Sequence, residues 1–155
     1  MNLNSLSLLF ITLFFFSIVY PQTKEEIHLY FQHNAKEMAD QGRGDSSAIP
    51  VNVYPVVRVV RTKHIERESL LLLLKGPTLS EREAGYSTNC SGLQLKKLKL
   101  SKSQAIVYMT GKLRLQGLLS GQRLRLQVEK TLKQFPLIRR VIIYINNKKN
   151  FDDLR

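Results

Sequence analysis

Apolar positions recur along this chain in several distinct patterns, and each pattern predicts a different element. Leu6 to Tyr20, LSLLFITLFFFSIVY, is almost wholly apolar, and Met1 to Thr23 carries no charged side chain. From Glu26 the pattern turns to period two. Ile27, Leu29 and Phe31 alternate with His28 and Tyr30, which predicts a short strand with the first three inward. Val51 to Arg61, VNVYPVVRVVR, is rich in β-branched residues and reads as a second strand, in which Pro55 marks an edge, a bulge or a break. Ile65 to Lys75 predicts a helix. Leu93 to Leu100 and Ala105 to Met109 predict a hairpin turning through Ser101-Lys-Ser, and the slip between Leu95 and Leu98 predicts a bulge. Helical spacing returns from Ser120 to Phe135, where Leu124, Val128, Thr131, Leu132 and Phe135 form one stripe before Pro136. Arg139 to Ile145 is the last strand, with Val141, Ile143 and Ile145 inward, and a turn at Asn146-Asn-Lys-Lys follows it.

Two connections punctuate the pattern. Residues 33–50 are polar, contain Gly42, Gly44 and Pro50, and read as a mobile loop. The stretch Leu70 to Asn89, LLLLLKGPTLSEREAGYSTN, is local mechanics throughout. Gly76 can take the left-handed conformation that closes a helix, and Pro77 forbids continuation of the helix. Thr78 and Glu81 form a capping box for a short helix reaching about Ala84, and Gly85 ends that turn. The order strand, strand, helix, hairpin, helix, strand predicts an α+β fold: a small mixed or antiparallel sheet of four to five strands with two helices packed on one face. Residues 23–155 then make a single domain, and residues 1–22 a signal peptide or an N-terminal membrane anchor.

Charge changes the picture more than composition does. The net charge is +12, and residues 93–155 hold fifteen Lys or Arg against Glu129, Asp152 and Asp153, while residues 1–92 are balanced at nine of each sign. A field confined to one part of the chain attracts polyanions such as nucleic acid, anionic lipid or an acidic wall polymer; a solvated basic surface kept for solubility is the plainer explanation. Cys90 is the only cysteine, which excludes an intrachain disulfide and a multi-cysteine zinc site.

LLLLKGPTLSEREAGYST, the two strands after it, Gln127-Val-Glu-Lys-Thr-Leu-Lys-Gln-Phe-Pro and the final Val141-Ile-Ile-Tyr-Ile together resemble the GerMN domain of bacterial sporulation and spore-germination proteins. The resemblance covers about residues 25–150. Its most specific positions are Gly76, Pro77, Thr78 and Glu81, then Gly85, Tyr86 and Thr88, and finally Thr131, Leu132, Phe135 and Pro136. It implies an extracytoplasmic module, related in shape to ring-building domains, and it implies no enzymatic activity. This chain departs from the family in having one copy of the domain, no lipobox cysteine, and Tyr108 where relatives often carry an acidic residue.

No catalytic residue, metal ligand or cofactor site emerges. His28, His33 and His64 lack H-E-x-x-H spacing and an orienting carboxylate, and Thr110-Gly-Lys-Leu lacks both ends of a P-loop. Arg43-Gly-Asp-Ser and Asn89-Cys-Ser are short patterns that coincidence explains. Two surfaces remain as partner candidates. On the sheet face away from the helices, alternation exposes Tyr30, Tyr108, Ile142 and Tyr144 beside Arg140. On the second long helix, an exposed Leu126 stands among Gln122, Glu129, Lys130 and Lys133. Cross-strand packing accounts equally well for the first set, and single exposed leucines need no explanation for the second. The sequence thus predicts an exported, non-enzymatic binding or assembly module of the cell envelope. Its partner would be an envelope protein or a second copy, with anionic lipid or wall polymer as further candidates. The alternative is a single-stranded nucleic-acid binder that uses the same tyrosines and lysines.

Overall fold

The computed structural model describes residues 24–41, 51–115, 117 and 119–149. The elements run β1 (Glu25–His33), α1 (Asn34–Gln41), β2 (Tyr54–Val60), α2 (Ile65–Lys75), α3 (Leu79–Glu83), β3 (Tyr86–Ser87), β4 (Leu93–Ser101), β5 (Gln104–Gly111), α4 (Ser120–Lys133) and β6 (Arg140–Ile145). The fold class is α+β, with the strands in two three-stranded sheets, β2-β1-β3 and β4-β5-β6. A single sheet of four to five strands is therefore corrected: β1 never pairs with the C-terminal strands. The second sheet is mixed, since β4 and β5 are antiparallel while β6 lies parallel to β5, with α4 as the crossover.

Alternation decides which residues meet in the middle. Ile27, Leu29 and Phe31 from the first sheet and Ala105, Val107, Met109, Val141, Ile143 and Ile145 from the second all belong to one core. Leu70 and Leu73 of α2 join it, as do Leu124, Val128 and Leu132 of α4. Each helix touches the other and both sheets, so the two helices lie within a shared core rather than on one face of one sheet. Pro55 sits in the edge strand β2, where its missing N–H costs no ladder bond. The β4 bulge falls between Leu95 and Lys97, where the slip in alternation places it.

Three short features escape the hydrophobic pattern. Residues 34–41 of the expected mobile loop form α1, while 42–50 lie outside the described residues, as do the N-terminal segment 1–22 and the Arg43-Gly-Asp-Ser sequence. The helix α3 is five residues long, and β3 is only two. Among the described residues no helix is long and apolar enough to cross a membrane.

Candidate functional site

The crossover from α2 to β3 is fixed by local hydrogen bonds. Gly76 donates its N–H to the carbonyls of Leu72 and Leu73, and its φ of 85° with ψ of −175° lies in a region reserved for glycine, extended rather than left-handed helical. Thr78 and Glu81 close the capping box in both directions. Glu81 also reaches across to β2, where its carboxylate accepts from Arg58 at 2.7 Å. Burial alone would raise the Glu81 pKa, but the hydrogen bonds from Arg58 and Thr78 outweigh it and hold the carboxyl below its ordinary value. Arg58, Leu72, Lys75, Pro77 and Arg82 border a groove of about 560 Å³ beside this junction.

The remaining signature residues also have structural work. A methyl group on Gly85 would come within 3.3 Å of His33 Cε1. The ring of Tyr86 packs edge-on against His33 at 4.7 Å, and its hydroxyl accepts from Lys36 at 2.8 Å. Thr131 Oγ1 accepts from the Tyr30 N–H at 3.3 Å. Gln134 goes further, accepting from the His28 N–H at 2.7 Å and donating to the His28 carbonyl at 2.9 Å. Two side chains of the T-L-x-Q-F-P motif thereby stand in for a missing neighbouring strand along the free edge of β1. Thr88 and Asn89 are tied to Gln127, a fully buried glutamine of α4. Cys90 is sealed beside it, and burial pushes its thiol up to about 12 against a lowering hydrogen bond with Thr88.

The structure divides the first candidate surface in two. On the outer face of β4-β5-β6, Tyr108 and Tyr144 are register partners, and Ile142 and Arg140 lie on the same side of β6. The two phenol rings stack at 5.0 Å with planes 9° apart, and Lys99 Nζ stands 5.6 Å from the Tyr108 centroid. Tyr30 belongs to β1 in the other sheet and does not join them, which corrects the single aromatic face. Its company is Pro55, Val57 and Val59 across the β1-β2 pair, with Lys130 Nζ 5.8 Å from its ring. Val57 and Val59 are 51% and 59% exposed, side by side on an edge strand. Leu126 is half-buried rather than exposed, lying in a shallow groove with Val51, Gln122, Arg125 and Glu129. Lys133 pairs with Glu129 at 2.9 Å along the helix.

One cluster has no forerunner in the sequence pattern. Around α1, Glu37 is 4% exposed and accepts from Arg123 of α4 at 2.7 Å, while Asp40 accepts from the Tyr54 hydroxyl. Burial first, then the Asp40 hydrogen bond and charge, push the Tyr54 phenol up to about 12. Its members come from α1, β2 and α4, and only the partners' proximity in space reveals it. Among the described residues no three of His, Cys, Asp or Glu converge as a metal site would require.

The family model for sporulation and spore germination, Germane, matches residues 28–151. Among solved structures, the tandem GerMN domains of the sporulation protein GerM from Bacillus subtilis superpose with a TM-score of 0.56 at 15% identity, over 83% of this chain. This chain spans 41% of that tandem chain. The first GerMN domain of the same protein gives 0.52 at 16% identity, over 82% of this chain and 85% of that one. These likenesses carry the fold. No curated protein sequence matches.

Proposed function

This chain belongs to the sporulation and spore germination family, and from that premise we propose that it is an exported, non-enzymatic binding module of the bacterial cell envelope that works by protein contact. The observation that carries the reading is the outer face of β1-β2. Val57 and Val59 lie uncovered among the described residues, on an edge strand, with Tyr30 and Lys130 beside them. Adjacent exposed valines cost solubility unless something covers them, and an aromatic flanked by a cation is a common anchor at protein interfaces. The free side of β2 also offers unpaired backbone groups to a partner strand.

Export is supported by the charge-free apolar segment at residues 6–20 and by the family. The nucleic-acid alternative has less support. Base recognition on a sheet uses several open ring faces, whereas Tyr108 and Tyr144 each spend one face on the other and Lys99 stands over Tyr108.

Cell fractionation combined with a photo-crosslinking residue at Val57 tests this. The expected result is an envelope-fraction protein crosslinked at Val57 and not at the exposed Arg67 of α2, and a crosslinked second copy would identify self-assembly as the form of contact. A cytoplasmic product, or equal crosslinking at both positions, overturns the reading.

A further inference from the structure

The second sheet presents chemistry that protein contact at the first does not use. None of its three strands, LQLKKLKLS, QAIVYMTG and RVIIYI, contains a carboxylate. Among the described residues after Leu93 the one acidic side chain is Glu129, which is on α4 and paired with Lys133. Among the described residues none of the ion pairs involves a cation of this sheet.

Register gathers them on the outer face. Lys97 stands opposite Tyr108, Tyr108 opposite Tyr144, and Arg140 opposite Gln104, so all project to the same side. Lys99, two residues along β4, follows Lys97 at about 6.8 Å along the strand. At the bulge, Lys96 joins the two tyrosines around a pocket of about 230 Å³ whose other walls include Thr110 and Asn146. The Thr110 hydroxyl donates to Asn146 Oδ1 and the Asn146 amide to the Gly111 carbonyl, so the pocket offers the Lys96 ammonium, two phenols and Asn147, with no carboxylate in its lining to repel an anion.

Ring geometry narrows the partner. Tyr108 and Tyr144 are stacked on each other, and Lys99 stands over Tyr108. At most the second face of Tyr144, on the edge strand, is left for a base, one platform where single-strand binding stacks successive bases on several, while the lysine ammoniums and the phenol hydroxyls can donate to phosphate oxygens. A protein partner fits poorly as well, because interface cores are depleted in lysine and this face has only the half-buried Ile106 and Ile142 as apolar anchors.

We propose that the outer face of β4-β5-β6 binds a linear phosphodiester polymer without stacking bases, of the polyol-phosphate type found among wall polymers, with one phosphate at the Lys96–Tyr108–Tyr144 pocket and the next along Lys97 and Lys99. The site is separate from the β1-β2 face, so either proposal can fail while the other stands.

The test is titration calorimetry of the full chain, held in micelles of an uncharged detergent, with poly(glycerol phosphate) at low and moderate salt. Binding should weaken steeply with salt, as counterion release requires. Lys97→Glu with Lys99→Glu should lose at least about tenfold in affinity. The equal charge change Arg61→Glu with Arg67→Glu should stay within about twofold. Tyr108→Phe with Tyr144→Phe keeps the stack, removes the hydroxyls and should weaken binding without altering the circular dichroism spectrum. Absence of binding overturns the proposal, as does equal loss in the Arg61/Arg67 control. So does tighter binding of an oligonucleotide with the same number of phosphates, or binding to anionic vesicles but not to the polymer.

Discussion

Replacing Gln134 with Ala tests whether α4 finishes the edge of β1. The side chain makes two hydrogen bonds to His28, accepting at 2.7 Å and donating at 2.9 Å. Each is worth about 1 kcal/mol net. The site is open to water, which replaces part of what is lost, so the expected destabilisation is about 1 kcal/mol rather than 2, or about 4 °C in Tm for a domain of this size. Thr131→Val differs in kind. The position is fully buried, valine keeps the shape, and the Tyr30 N–H loses its acceptor where water has little access, at a cost of about 1–3 kcal/mol. Because the chain has no Trp, urea unfolding is followed by circular dichroism, and amide hydrogen exchange gives the local signal. The His28 amide should lose protection in Gln134→Ala and the Tyr30 amide in Thr131→Val. The Leu29 amide points to β2 by strand alternation and should keep its protection in both. Wild-type urea midpoints together with unchanged exchange at His28 and Tyr30 would refute the edge-closing role.

Two further predictions concern the crossover. Gly76→Val should destabilise by at least about 1 kcal/mol, since φ is 85° and a Cβ there meets Thr88 Cγ2 at 3.2 Å; an unchanged urea midpoint would remove the backbone argument. Glu81 has a folded-state pKa below its ordinary 4.5, so its contribution is complete above the unfolded value and disappears as pH falls through the folded one. The urea midpoint of the wild type should therefore drop on acidification below pH 4.5, with a shallower drop in Glu81→Gln, and parallel curves would show that the Arg58 pair is not the source.

Where the hydrophobic pattern was strong, the sequence was enough. The α2 boundaries, the capping box, the β4 bulge, the α4 stripe and the inward residues of β1 and β6 all follow from period and punctuation. The failures share a cause. A two-residue β3 is shorter than any periodicity, and α1 is held by the Glu37–Arg123 pair and the Asp40–Tyr54 bond, whose partners are 86 and 14 residues apart and share no local pattern. The split into two sheets was hidden because Thr131 and Gln134 read as a helix stripe and a helix end, although they also occupy the place a strand would take beside β1. That substitution separates Tyr30 from Tyr108 and Tyr144, and so turns one expected surface into two. Leu126 looked exposed on a helical wheel because the wheel has no knowledge of Val51.

The same pairing between β1 and α4 also sets an order in time. His28 and Tyr30 wait for partners 106 and 101 residues downstream. At about 5–20 residues per second, synthesis of that interval takes on the order of 5–20 s. Throughout it the side of the first strand that faces away from β2 can be closed only at Gln32 and His33, by β3, and a chain stopped short of Thr131 never closes the stretch at His28 and Tyr30. The N-terminal half is thereby kept from completing its fold until the last helix exists, which favours a late, cooperative collapse over stepwise folding from the front.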